Sequence, residues 1–137
     1  MITFNYETPF VVKDEAKISN WIHRVVVEHR FELGEINYIF CDDAYLLKLN
    51  IEFLQHDTLT DIISFDTTLG KLIGGDIFIS IERIIENANT FAVPFEEELH
   101  RVMIHGVLHF LGFKDKTPLE KTAMRKKEEE SLCLLNN

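Results

Sequence analysis

The sequence predicts an α+β domain in which a small mixed four-stranded sheet is covered by about five helices. Three observations carry this reading. Short runs with β-strand alternation or dense apolar content recur near Ile2, Glu35, Ile62 and Lys71. Stretches with helical spacing of apolar residues separate the first three of these runs. From Ser80 onward only helical patterns remain. The order is β-α-β-α-β-β-α-α-α, and 137 residues suffice for one domain, here taken as residues 1–137.

Ile2–Tyr6 alternates apolar and polar residues and predicts a strand. Between Asp14 and Phe31, Ile18, Trp21, Ile22, Val25 and Val26 recur at helical intervals, and Gly34 is the expected stop. Glu35–Cys41 alternates again, with Ile36, Tyr38 and Phe40 on one face. Asp42 is an N-cap residue for a helix expected to bury Leu46, Leu47, Asn50, Phe53 and Leu54. His56 to Asp61 is polar and loop-like, and Ile62–Phe65 predicts a short buried strand. Lys71–Ile81 predicts a strand with a bulge or a close backbone approach at Gly74 and Gly75. Ser80 caps a helix to Phe91, and Pro94 suits the first turn of the next, with Glu96, Glu97 and Glu98 at its positive end. That helix runs to Leu111 and stops at Gly112; a last one starts near Pro118 and carries Leu119, Ala123, Met124, Ser131 and Leu132.

Composition removes several classes. Apolar content of 46% and charged content of 27% are those of an ordinary globular protein. Cys41 and Cys133 are far apart and without a CxxC, which excludes a disulfide scaffold or a cysteine-based zinc cluster; both are expected as buried or half-buried apolar residues. No apolar run is long enough to span a membrane, and MITFNYETPF has neither the basic nor the apolar region of a signal peptide, so a cytoplasmic location is expected. The formal charge of −9 gives no bulk attraction to nucleic acid, so any RNA-binding surface must be a local one.

The chemistry concentrates in HRVMIHGVLHFLGFKDKT. His105 and His109 are four apart, which puts both imidazoles on one face of a helix. Val102 to Leu111 is apolar nearly all round, so this helix is buried, and buried imidazoles need partners for their nitrogens. Gly112 allows a sharp turn, after which Asp115 can swing back over the histidine face. Two imidazoles and a carboxylate are a common catalytic zinc shell with a fourth position for water. The same set also serves non-haem iron oxygenases, but ligands confined to one helix and loop favour a zincin-like site. His105, His109 and Asp115 are thus the candidate ligands of one zinc ion, a role that nickel or another divalent metal could fill. Through water on that metal they are also the candidate catalytic residues. His23, His29, His56 and His100 lack the pattern.

The spacing resembles the metzincin signature, except that Gly106 stands where those peptidases need a glutamate base and Asp115 where they have a third histidine. HGVLHFLGFKD more closely resembles the motif H-G-x-L-H-L-x-G-x-D-H of the YbeY-type family of bacterial rRNA-maturation endoribonucleases. Leu49-Asn50, the segment Asp57 to Phe65, Gly75 to Ser80 and the last helix with Met124 and Glu128–Glu130 are similar to that family too, so the likeness spans roughly Leu49 to Leu132. Asp115 replaces the usual third histidine, and Leu54 stands where the family often has arginine, so no phosphate-binding role is carried to position 54.

The resemblance implies a single-strand-specific, zinc-dependent endoribonuclease of 16S rRNA 3′-end maturation and late ribosome quality control. Its partners would be rRNA and the ribosome or small subunit, with no membrane and with the oligomeric state left open. It also implies that His56, Asp57, Thr60, Asp61 and Ser64 border the cleft. The nucleophile could be water on the metal or the RNA 2′-OH. Lys114, Lys116, Lys121, Arg125, Lys126 and Lys127 surround the metal loop with local positive charge. Of these, Lys114 and Lys116 are the candidate substrate-binding residues, together with Arg101 one turn before His105. Two rival readings are a metallopeptidase-like hydrolase and a non-catalytic ribosome-binding module with a structural metal.

Overall fold

The computed structural model describes residues 1–56 and 58–136; Asp57 lies outside the described residues. Its elements are β1 (Ile2–Tyr6), α1 (Glu15–Glu28), β2 (Glu32–Cys41), α2 (Asp43–Leu54), β3 (Ile62–Asp66), β4 (Leu72–Ser80), α3 (Ile81–Phe91), α4 (Phe95–Phe110) and α5 (Pro118–Leu135). The predicted order of strands and helices is therefore the observed one.

The four strands form one mixed sheet in the order β1-β2-β4-β3. β1, β2 and β4 run parallel, and β3 pairs antiparallel with β4 at the edge. Parallel neighbours need long crossovers, which α1 and α2 supply. Alternation sorts β2: Ile36, Tyr38 and Phe40 are fully buried in the main core. The main core also takes Ile18, Trp21, Ile22, Val25 and Val26 of α1, much of α4, and Met124, Leu132 and Leu135 of α5. Two long-range bonds lock these layers: Tyr38 Oη donates to the Met103 carbonyl at 2.9 Å, and Trp21 Nε1 to the Ser131 carbonyl at 2.7 Å. A small second cluster of Cys41, Leu46 and Ile63, with Leu49, Phe65 and Phe78 against it, seats α2.

Several expectations need correction. α1 ends at Glu28, before Phe31, because Arg30 takes a left-handed φ of 64° and turns the chain into β2. α2 buries Leu46 and Asn50 but leaves Phe53 and Leu54 exposed, since its last turn runs past the small second cluster. The close backbone approach expected at the glycines, by contrast, is present: a Cβ at Gly75 would run into the Phe65 carbonyl and one at Gly74 would stand 3.2 Å from the Glu35 carbonyl, while the accompanying register shift lies in β2, between Leu33 and Ile36. Pro94 is the N-cap of α4, just ahead of the first turn. Cys133 is exposed rather than buried or half-buried. Among the described residues no helix is long and apolar enough to cross a membrane.

Candidate metal centre

α4 is the platform of the site. One of its faces is pressed against the sheet so closely that a Cβ at Gly106 would come within 2.9 Å of Ile77 Cδ1 and 3.2 Å of Ile62 Cδ1. Glu98, Arg101, Val102, His105 and His109, on another face, line a cleft of about 500 Å³. The helix ends in a Schellman cap: Gly112 takes a φ of 104°, its N–H donates to the His109 carbonyl, and the Phe113 N–H donates to the Leu108 carbonyl. This reversal brings the Phe113 carbonyl back to His109 and carries Asp115 over the histidine face.

The hydrogen bonds decide the tautomers. His105 Nδ1 lies 2.7 Å from Glu128 Oε2, and His109 Nδ1 lies 3.0 Å from the Phe113 carbonyl. A carboxylate and a carbonyl only accept, so both Nδ1 atoms carry hydrogen and donate. In the neutral rings both Nε2 atoms then present lone pairs. They face each other at 2.9 Å, and Asp115 Oδ2 lies 3.1 Å from His105 Nε2 and 3.3 Å from His109 Nε2. Three lone-pair donors this close repel one another unless a proton or a metal cation sits among them. Tetrahedral zinc with bonds near 2.0–2.1 Å separates its donors by roughly 3.3 Å, so the residues present fit a divalent ion. Their side chains are 19%, 30% and 38% exposed for His105, His109 and Asp115, so solvent reaches the cluster.

The surroundings are strongly charged and mutually satisfied. Glu128 also accepts from Arg101 NH1 at 3.3 Å, and Arg101 NH2 donates to Glu129 at 2.9 Å. Arg101 and Glu128 are both buried. Burial pushes the His105 imidazole down, but the hydrogen bond and charge of Glu128, with the charges of Asp115 and Asp61, outweigh it and leave the pKa raised. Asp61, in the cleft wall, is raised by burial, partly offset by the His105 charge and by Asn87 Nδ2 donating to its Oδ2 at 3.1 Å. Burial likewise raises Glu98 despite the Arg101 charge.

The structure thus brings together His105, His109 and Asp115, with Arg101, Thr60, Asp61 and Ser64 also lining the cleft. Lys114 and Lys116 are exposed on the α4–α5 loop and are not among its lining residues. His56 lies beside the α2 end, in a separate shallow depression with Asn50 and Thr58. His100 packs edge-on to Trp21. Sequence reasoning passed over Glu128 as part of a charge run. Its signal was periodicity: Met124, Glu128, Ser131, Leu132 and Leu135 form the buried stripe of α5. It also passed over Asn87 and Phe91 of α3, which line the cleft from beyond the motif.

Fold and site together define a small α+β domain in which two histidines of α4 and one carboxylate of the loop after it could hold a cation. Comparison makes this specific. A model of the family "Endoribonuclease YbeY" matches residues 3–136. The endoribonuclease YbeY of Flavobacterium psychrophilum is 57% identical over 136 residues, covering 99% of this chain and 97% of that one. That of Flavobacterium johnsoniae is 54% identical, covering 99% and 98%. The solution structure of TM1509 from Thermotoga maritima shares the fold with a TM-score of 0.70 at 23% identity, over 98% of this chain and 89% of that one. The chain belongs to the endoribonuclease YbeY family.

Proposed function

We propose that this chain is a single-strand-specific, zinc-dependent endoribonuclease that acts in the cytoplasm on the 3′ end of 16S rRNA and in late ribosome quality control, with the small ribosomal subunit as its partner. The names of the relatives support the reaction class. The observation that carries the reading is the convergence of three lone-pair donors in an open cleft. A buried structural ion would be closed off, whereas these side chains reach solvent.

His105, His109 and Asp115 would hold the ion, which would supply Lewis-acid polarisation of a phosphate oxygen or a more acidic water. The chain's own groups do the rest. Glu128 and the Phe113 carbonyl hold both imidazoles with Nε2 toward the site. Arg125, half-exposed at the cleft wall, faces the charge that develops on phosphate. Arg101 is tied to Glu128 and Glu129, so its part is to brace Glu128 and lend a screened positive charge. Lys114 and Lys116 would meet flanking phosphates outside the cleft. Asp61, which lines the cleft and holds its proton to higher pH than an ordinary carboxylate, would be a proton carrier outside the donor cluster.

The test is incubation with unstructured RNA and with casein, each with chelator and then with zinc restored. RNA cleavage that chelator abolishes and zinc restores is the expected result; cleavage of casein alone overturns the proposal. Cosedimentation with isolated small subunits tests the partner.

A further inference from the structure

The charge lining the cleft sets a problem for any polyanion. Asp61, Glu98, Asp115 and Glu128 face Arg101 and Arg125, so carboxyls outnumber guanidinium groups two to one. Both arginines are already engaged: Arg101 by Glu128 and Glu129, and Arg125 with the same pair at 3.7 and 3.8 Å. With all four carboxyls ionised, one divalent ion would balance the deficit without leaving a positive surplus. Phosphate attraction inside the cleft is therefore partly offset by these carboxyls, and a contact insensitive to charge would add affinity.

The wall built by α3 offers one. Asn87 and Phe91, four residues apart on α3, both line the cleft that holds His105, His109 and Asp115. Phe91 is 57% exposed, an open aromatic ring in the lining of a polar cleft. Asn87 is oriented by its bond to Asp61 Oδ2. Aromatic faces bind unpaired bases by stacking, whatever the base, whereas a base inside a duplex has no free face to offer.

We propose that Phe91 is the platform of a nucleobase subsite: an unpaired base of the RNA, adjacent to the phosphate at the metal centre, stacks on its ring, with the Asn87 amide at the base edge. This rests on the endoribonuclease reading and supplies that reading with a physical source of single-strand preference. It also places part of the affinity on a term that salt does not screen.

The experiment measures binding of zinc-loaded protein to a 2′-O-methyl single-stranded oligonucleotide and to a series in which one abasic position is walked along it. Phe91→Ala weakens binding of the intact oligonucleotide between about 5-fold and about 150-fold, the usual worth of one stacked base. That factor stays the same as salt rises. One abasic position weakens the wild type by a similar factor and leaves Phe91→Ala unaffected. Phe91→Trp binds as the wild type does, and its emission is quenched on binding, a signal distinct from the buried Trp21. Thermal midpoints report folding, which the exposed position should leave unchanged. Wild-type binding matched within 2-fold by Phe91→Ala, or abasic penalties that the substitution does not remove, overturn the subsite alone. A wild type that neither binds these oligonucleotides nor cuts RNA overturns the endoribonuclease reading and the subsite with it.

Discussion

Replacing Glu128 by glutamine tests the reasoning about the donor cluster most directly. The wild-type carboxylate accepts from His105 Nδ1 at 2.7 Å and from Arg101 NH1 at 3.3 Å, and its side chain is 7% exposed. Glutamine keeps the volume and one accepting oxygen. It cannot accept from both partners as a carboxylate does, and its own N–H donors face a guanidinium or an imidazole N–H. Arg101 retains Glu129 at 2.9 Å, so no buried charge is left without a partner and the protein still folds. The loss falls on His105, whose tautomer and basicity are no longer fixed. Partners of this kind are worth about 10- to 100-fold in metal affinity, or roughly 1.4–2.7 kcal/mol. Zinc affinity is measured by competition with a chromophoric chelator, and the thermal midpoint of the chelated protein is followed alongside. The expected result is a fall in affinity of that size with a native-like melt. Unchanged zinc affinity in a folded Glu128→Gln protein would show that the carboxylate is not what orients His105.

Three further outcomes follow from the same geometry. His109→Ala removes a half-exposed ring from the cluster and should abolish RNA cleavage while circular dichroism stays native; native-rate cleavage by the zinc-supplied variant would refute a part for the metal. Asp115→His should keep one metal per chain by elemental analysis, and loss of stoichiometric metal would show that the loop is shaped for a carboxylate. His105 has a folded-state pKa above its ordinary value of 6.5, so in the chelated protein its contribution to stability is full below about pH 6.5 and is lost as pH rises through the folded value. The urea midpoint should therefore fall more between about pH 6 and about pH 9 in wild type than in His105→Gln. Identical pH profiles of the two proteins would contradict this.

Much of this architecture was legible because each element carries its own local signal. Period-two runs marked Ile2–Tyr6 and most of β2, and Asp42 and Ser80 cap α2 and α3 as their types suggest, accepting from Tyr45 N and Arg83 N. The His105, His109 and Asp115 group was readable because a helix repeat and a glycine reversal translate directly into proximity. What stayed hidden depends on contacts between elements distant in sequence. Arg101 looked like a free cation one turn from His105, and only the docking of α5 reveals that Glu128 and Glu129 occupy it. Phe53 and Leu54 fit the apolar stripe of α2, but whether the sheet extends beneath them is a tertiary fact. Phe91 joins the cleft only because α3 packs beside α4.

The packing of α4 also bears on which hydrolytic chemistry the helix can support. In the peptidases whose motif this one resembles, the residue after the first histidine is the glutamate that handles the proton. Position 106 faces the Ile77 and Ile62 side chains at distances where even a methyl group forces a shift, so a glutamate there would have to displace them. A Gly106→Ala change alone brings Cβ within 2.9 Å of Ile77 Cδ1, a degree of overpacking that costs about 1–3 kcal/mol. The helix thus trades an adjacent base for a close fit to the sheet. A proton acceptor must then come from across the cleft, where Asp61 lies. An RNA carries its own nucleophile in the 2′-OH beside the scissile phosphate, whereas a peptide bond brings none. This site, which could hold a divalent ion, lacks the adjacent glutamate of those peptidases, and a 2′-OH that attacks the phosphate must still give its proton to a group across the cleft such as Asp61.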